Sequence, residues 1–164
     1  MILVTVGSSE FPFDRLLRVL DRMPGNEALV VQHGPSAIRP AGAHCVPFLP
    51  LEELTELVRA ARLVVTHAGV GSILLSLAND KRPYVVPRRR AFGETVDDHQ
   101  VESARQFARA GLISLVEEPE QLAAAVLDPR EEPVARLVGG GPLERDLRDY
   151  LDSVIAGPRV LEPA

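Results

Sequence analysis

The run Val64–Val65–Thr66–His67–Ala68–Gly69–Val70–Gly71–Ser72 holds the residue types best suited to chemistry in this 164-residue chain. Three β-branched residues predict a buried strand, Gly69 and Gly71 open a tight turn, and the apolar residues after Ser72 predict a helix. A strand that feeds a glycine turn and a helix N-terminus is an anion site in outline. The first N–H groups of the helix lack intrahelical acceptors, and the positive end of its dipole lies there. His67 and Ser72 add side-chain donors to the same place. Phosphate or diphosphate fits such a site, which points to nucleotide or nucleotide-sugar chemistry. The pattern is neither GxGxxG nor a Walker loop, because no Lys follows Gly71. Taken alone, it is equally a tight βα turn with a half-buried, hydrogen-bonded histidine.

Two other stretches carry candidate groups. Gly7 allows close backbone approach, and Ser8 and Ser9 follow it. This is either a second phosphate- or sugar-contacting loop or a turn with serine caps. Residues 88–98 are predicted to form a connection without secondary structure, long for a βα loop and suggestive of a rim or lid. Arg88, Arg89 and Arg90 open it and could meet a diphosphate or anionic lipid headgroups, or stay solvated. Asp97 or Asp98 suits the N-cap of the next helix. Gln100 offers two donors and an acceptor to sugar hydroxyls. His33, His44, His67 and His99 form no i, i+4 pair and have no carboxylate cluster beside them, so no metal or other cofactor is expected. No GxSxG elbow or Ser–His–Asp set is present.

The elements that must position these groups alternate along the chain. Apolar strand runs are predicted at residues 2–6, 28–32, 44–47, 63–66, 84–86 and 112–116. Helical spacing is predicted at residues 13–20, 51–61, 72–78, 97–110, 119–127 and 143–155. A Pro- and Gly-rich joint spans 128–142. Strand–helix alternation with continuously apolar strands implies an α/β fold: a parallel sheet of about six strands with helices on both faces. Ligands of such sheets bind beyond the carboxyl ends of the strands, where the loops 7–12, 48–50, 67–72 and 88–98 lie. One domain over residues 1–156 and a frayed tail over 157–164 are expected.

Composition narrows the function classes. The chain is 46% hydrophobic and 25% charged, ordinary for a water-soluble domain. Its net charge of −5 argues against nucleic-acid binding. The single cysteine, Cys45, sits in an apolar strand-like run and reads as an inert buried thiol, consistent with a cytoplasmic protein. The N-terminal residues lack a basic region ahead of their apolar run, so no signal peptide is expected.

Val4–Thr5–Val6–Gly7, Gln32 with Gly34–Pro35, Phe48–Leu49, His67 to Ser72 and Asp98–His99–Gln100 occur in that order. Together they resemble the C-terminal, donor-binding half of the GT-B glycosyltransferases of family 28. The resemblance covers roughly residues 1–127. Within the family it is strongest to stand-alone small subunits: that of the two-part UDP-GlcNAc transferase of asparagine-linked glycosylation, and those of bacterial exopolysaccharide glycosyltransferases. Pro87–Arg88–Arg89 and Gly93–Glu94 especially resemble the bacterial group.

The resemblance implies a Rossmann-like domain, one half of a GT-B fold. It implies that Gly7, Ser8 and Ser9 border the diphosphate and that the backbone of Phe48 and Leu49 reads the uracil edge. His67, with Ala68 and the backbone of Gly69, Val70, Gly71 and Ser72, would hold the diphosphate, and Gln100 would reach the donor sugar or its phosphate. Many relatives carry a Glu three residues after the Ser of this motif, on the ribose hydroxyls; here that position is Leu75, and Glu94 is the possible substitute. The implied function is the donor-binding subunit of a heteromeric, inverting glycosyltransferase. It would take a UDP-sugar donor and transfer the sugar to a lipid-linked acceptor held by a membrane-anchored partner subunit. That partner would also supply the base, and the subunit would be inactive without it. The protein would be cytoplasmic, peripheral to the membrane through that partner. The alternative is a non-catalytic nucleotide-sugar-binding module, a sensor or scaffold. A small-molecule hydrolase ranks below both, for want of a nucleophile–base pair.

Overall fold

The computed structural model describes residues 1–22 and 27–127. Six parallel strands form one sheet in the order β3-β2-β1-β4-β5-β6: β1 Ile2–Thr5, β2 Leu29–Gln32, β3 His44–Val46, β4 Leu63–His67, β5 Tyr84–Val86 and β6 Ser114–Leu115. The helices are α1 Asp14–Leu20, α2 Leu51–Ala60, α3 Val70–Ala78, α4 His99–Arg109 and α5 Leu122–Leu127. The expected Rossmann-like sheet of about six strands is therefore present. The predicted joint over 128–142, helix over 143–155 and tail over 157–164 lie outside the described residues.

Alternation along the strands splits the core into two layers. Ile2, Val4 and Val6 of the first strand and its extension, with Leu63, Val65 and Val86, pack on Leu16, Leu17 and Leu20 of α1 and on Leu122. Leu3 and Val64 point to the opposite face, onto Val58 of α2 and Leu75 of α3. Val85 joins Ile73 and Leu77 of α3 and Ala104 of α4 on that same face. Both faces are covered, which is why the central strands read as unbroken apolar runs.

Element ends shift by one or two residues from the sequence expectation. The helix expected from Ser72 begins at Val70, because its first turn is exposed and periodicity registers only from the buried Ile73 onward. The helix expected from Asp97 begins at His99, with the Asp97 carboxylate accepting the His99 N–H at 3.1 Å. Cys45 is half-buried rather than buried, on the edge strand β3, and packs partly against the core.

Strand order reverses between β1 and β4: the chain runs outward from β1 to β3, then returns to pair β4 with the other edge of β1. The helices leaving the two strands lie on opposite faces of the sheet, so a crevice opens between their connections at the carboxyl edge.

Candidate functional site

The turn after β4 supplies the free main-chain groups of the crevice. Gly69 is the residue before α3 and has extended backbone angles, φ −71° and ψ 128°. No side chain caps α3, and the first main-chain bond back to Gly69 comes from Ile73, at 3.2 Å. The N–H groups of Val70, Gly71 and Ser72 therefore stand at the positive end of the helix in the geometry that binds anions. Val70 and Gly71 are exposed and Ser72 half-buried, so solvent reaches the turn.

His67 lies across this turn, wedged between two glycines. A Cβ added to Gly7 would come within 2.8 Å of His67 Nε2, and one added to Gly69 within 2.8 Å of Cε1. Gly7 also has φ +77°, which L side chains rarely adopt. The ring thus requires both glycines, and at Gly7 the backbone requires one as well. Burial, and then the positive charge of Arg88, push the imidazole down to about 4, so the ring is neutral at neutral pH. Its Nδ1 lies 3.3 Å from the Thr66 hydroxyl.

The loop after β1 is held from both sides. The Gln32 amide clamps Gly7: its Oε1 accepts the Gly7 N–H at 3.1 Å, and its Nε2 donates to the Gly7 carbonyl at 2.9 Å and to the Pro47 carbonyl at 3.2 Å. The Thr5 hydroxyl donates to the same Oε1 at 2.6 Å. Gln32 therefore joins three strand ends. Ser8 is exposed, while the Ser9 hydroxyl accepts the Phe11 N–H at 3.2 Å, as a turn-forming serine does.

The loop after β5 departs from expectation. It is closed by a 3-10 turn at Arg90–Phe92 and by Gly93 at φ +68°. Arg88, expected to be a candidate for diphosphate or lipid headgroups, is fully buried. It donates to the carbonyls of Val6 (2.7 Å), Phe11 (2.9 Å), Pro12 (3.3 Å) and Glu94 (3.0 Å), and its guanidinium stacks 4.7 Å from the Phe13 ring centroid. Arg89 is likewise committed, to the Glu117 carbonyl at 3.0 Å and the Glu118 carboxylate at 2.9 Å. Only Arg90 of the three remains exposed, and its N–H donates to Asp98 at 2.9 Å. The physical reason is supply from a distant segment: the loop after β1 brings three carbonyls and Glu94 a fourth, and a buried cation must use them.

Glu94 is buried, with both carboxylate oxygens engaged. Arg15 donates to them at 2.9 and 3.0 Å, and the Arg89 N–H at 2.9 Å. That commitment makes it a tie between α1 and this loop rather than a group open to a ribose. Leu75 is buried against Leu3, Val58, Ala61 and Val64. Gln100 is half-buried on the first turn of α4, its Oε1 accepting the Arg88 N–H at 3.4 Å. Phe48 and Leu49 follow β3 at the same edge of the sheet, Phe48 being 63% exposed. The carboxyl edge thus gathers Gly7, Ser8, Ser9, Phe48, Leu49, the residues from His67 to Ser72, and Gln100, with Glu94 and Arg88 beneath. Sequence reasoning missed roles for Gln32, Arg15 and Arg88. A polar residue closing an apolar strand was the available signal for Gln32; nothing local marked the other two.

Among the described residues no group of three His, Cys, Asp or Glu side chains converges as a metal site would require. No helix among them is long and apolar enough to cross a membrane.

Comparison with known proteins agrees with this fold. The model of the glycosyltransferase family 28 C-terminal domain matches residues 1–137. Among solved structures, the calicheamicin glycosyltransferase CalG4 is similar with a TM-score of 0.58 at 19% identity, over 98% of this chain and 44% of its own. MurG of Acinetobacter baumannii is similar with a TM-score of 0.60 at 20% identity, over 92% of this chain and 49% of its own. The glycosyltransferase SnogD of Streptomyces nogalater is similar with a TM-score of 0.56 at 19% identity, over 93% of this chain and 39% of its own. The chain therefore spans less than half the length of each. No curated protein matches the sequence significantly.

Proposed function

The chain belongs to the glycosyltransferase family 28 C-terminal domain family, and from that premise we propose that it binds the nucleotide-sugar donor of a glycosyl transfer completed by a separate acceptor-binding subunit. One observation carries the reading: the uncapped N-terminus of α3 faces the crevice between β1 and β4, with a neutral His67 held across it by Gly7 and Gly69. The diphosphate of a UDP-sugar would take the N–H groups of Val70, Gly71 and Ser72. With Nδ1 turned to Thr66 as acceptor, His67 would donate from Nε2. The backbone of Phe48 and Leu49 would read the base edge, Gly7, Ser8 and Ser9 would border the phosphates, and Gln100 would reach the sugar.

The reaction is a direct displacement with inversion. The acceptor hydroxyl oxygen forms a bond to the anomeric carbon, the bond to the diphosphate oxygen breaks, and its electron pair leaves with UDP. The hydroxyl proton passes to a base on the partner. The helix dipole and His67 stabilise the charge that grows on the leaving diphosphate, without a metal ion. A membrane-anchored partner would present a lipid-linked acceptor and place this subunit at the cytoplasmic face of the membrane. Phe48, Val70, Phe92 and Val96, the large exposed apolar side chains among the described residues, lie in or border the carboxyl-edge loops, which suits a face that another protein covers.

Calorimetric titration of the purified chain with UDP, dTDP and ADP, with and without magnesium, tests the donor site. Binding of UDP or dTDP over ADP, unchanged by magnesium, is expected; binding of none of them overturns it. The second reading, a nucleotide-sugar-binding module without catalysis, is favoured by Leu75, which turns into the core where many relatives place a ribose-binding Glu. Transferase activity on co-expression with a membrane-anchored partner excludes it.

A further inference from the structure

Arg88 is the largest fully buried side chain among the described residues, and it carries a charge. Burying a guanidinium is costly, and Arg88 has no carboxylate bonded to it directly, since Glu94 gives its oxygens to Arg15 and to the Arg89 N–H. Its acceptors are instead four main-chain carbonyls, and their positions are informative. Val6 lies immediately before Gly7, at the start of the loop after β1; Phe11 and Pro12 lie at its end. One guanidinium therefore grips both ends of the loop that carries Gly7, Ser8 and Ser9. The fourth carbonyl, of Glu94, ties that grip to the loop after β5. The Arg88 N–H meets the Gln100 side chain from the other direction. Gly7, fixed in this way, forms one wall of the slot that holds the His67 ring.

We propose that Arg88 is the positioning residue of the donor site, a buried fork that sets the loop after β1 against His67 without touching the donor itself. The inference rests on the donor-site reading above for its functional meaning, while its structural content is independent of any ligand. The planar fork is essential. A lysine ammonium is a compact point charge and cannot span carbonyls at the two ends of a loop. The charge has a second consequence. Arg88 is the cation whose field reaches His67, where it adds to burial in keeping the ring neutral, and the other groups against the ring are the Thr66 hydroxyl and the backbones of Gly7 and Gly69.

Two substitutions separate the fork from the charge. Arg88→Lys keeps the charge and loses the fork. It is expected to speed amide exchange at Gly7 and Phe11, to leave the His67 ring titrating low, and to weaken UDP binding by at least about tenfold, or about 1.4 kcal/mol. Arg88→Met loses both and should in addition raise the His67 titration part of the way from about 4 toward about 6.5, followed by NMR of the ring protons. A purely structural arginine would lower thermal stability in both variants without weakening UDP binding by the folded Arg88→Lys protein or selectively speeding exchange at Gly7 and Phe11. In the wild type, NMR should resolve the Arg88 Nη signals as slowly rotating and protected from exchange. Freely rotating Nη groups, or an Arg88→Lys protein with wild-type exchange at Gly7, overturn the proposal, even where Arg88→Met fails to fold. If the wild type does not bind UDP at all, the donor-site reading fails, while the exchange and titration measurements still decide the positioning role.

Discussion

The turn after β4 and the loop after β5 leave neighbouring strands at the same edge of the sheet, and both carry polar residues in a setting where ligands bind. Their hydrogen bonds go in opposite directions. The turn after β4 leaves the first N–H groups of α3 without a side-chain cap and holds a neutral imidazole beside them. The loop after β5 turns its polarity inward. Arg88 turns both Nη groups to four carbonyls while its buried Nε has no partner, the Glu94 carboxylate is taken by Arg15 and the Arg89 N–H, and Asp98 accepts the Arg90 N–H. The more heavily charged segment is therefore the scaffold, and the nearly uncharged one is where we propose that the anion binds. Free main-chain donors at a helix start mark a site better than formal charge does, because a charge that is buried must be satisfied within the protein.

The comparison can be broken at four points, in order of expected effect. Glu94→Ala leaves Arg15 buried without its carboxylate, the two side chains being 14% and 4% exposed. Removing one partner of such a pair should cost about 3–5 kcal/mol in urea denaturation. A loss under about 1 kcal/mol would mean that the loop after β5 is not the scaffold described here. His67 sets the pH dependence of the site. Its ring is pushed down to about 4 in the fold against about 6.5 in the unfolded chain, so between those values only the unfolded chain takes up the proton. Stability should fall by up to about 3 kcal/mol as pH drops from 6.5 to 4, with no further loss from this group below that. The His67→Ala protein should lose this part of the dependence and bind UDP at least about tenfold more weakly, losing a hydrogen bond to a charged group.

Gly69→Ala drives a methyl group into the His67 ring, an overpacking expected to cost about 1–3 kcal/mol and to weaken UDP binding. The same substitution in a His67→Ala background should recover most of that stability, since the atoms that collide are gone. Additive losses in the double variant would show that Gly69 is needed for the backbone turn alone. At the small end, Arg90→Ala should change stability by no more than about 0.5 kcal/mol and leave UDP affinity unchanged. A tenfold loss of affinity would return the loop after β5 to the anion site and cancel the contrast.

Much of the architecture was legible because its signal is local. Continuous apolar runs rich in β-branched residues, such as Leu63 to Thr66, read as strands covered on both faces, and the alternation with helical spacing implied the parallel sheet. The first turn of α3 was less legible, because Val70 and Gly71 face solvent and carry no periodicity. The turn itself was still evident from strand, glycines and helix in sequence. Residues 88–90 were misread for a different reason. Three consecutive arginines look alike in sequence, yet Arg88 is buried, Arg89 is paired with Glu117 and Glu118, and Arg90 is exposed. What separates them is the arrival of carbonyls from residues 6, 11 and 12, more than seventy positions away.

The sequence by itself determined the layered α/β fold and the place of the glycine turn before α3, since strand periodicity, glycine turns and helix starts are properties of short segments. Only the tertiary structure decided which polar side chains face that turn and which are consumed beneath it. Hydrogen-bond satisfaction in a buried crevice depends on whichever backbone the sheet brings alongside. Here the return of the chain from β3 to β4 placed Gly7 against His67, and the loop after β1 within reach of Arg88.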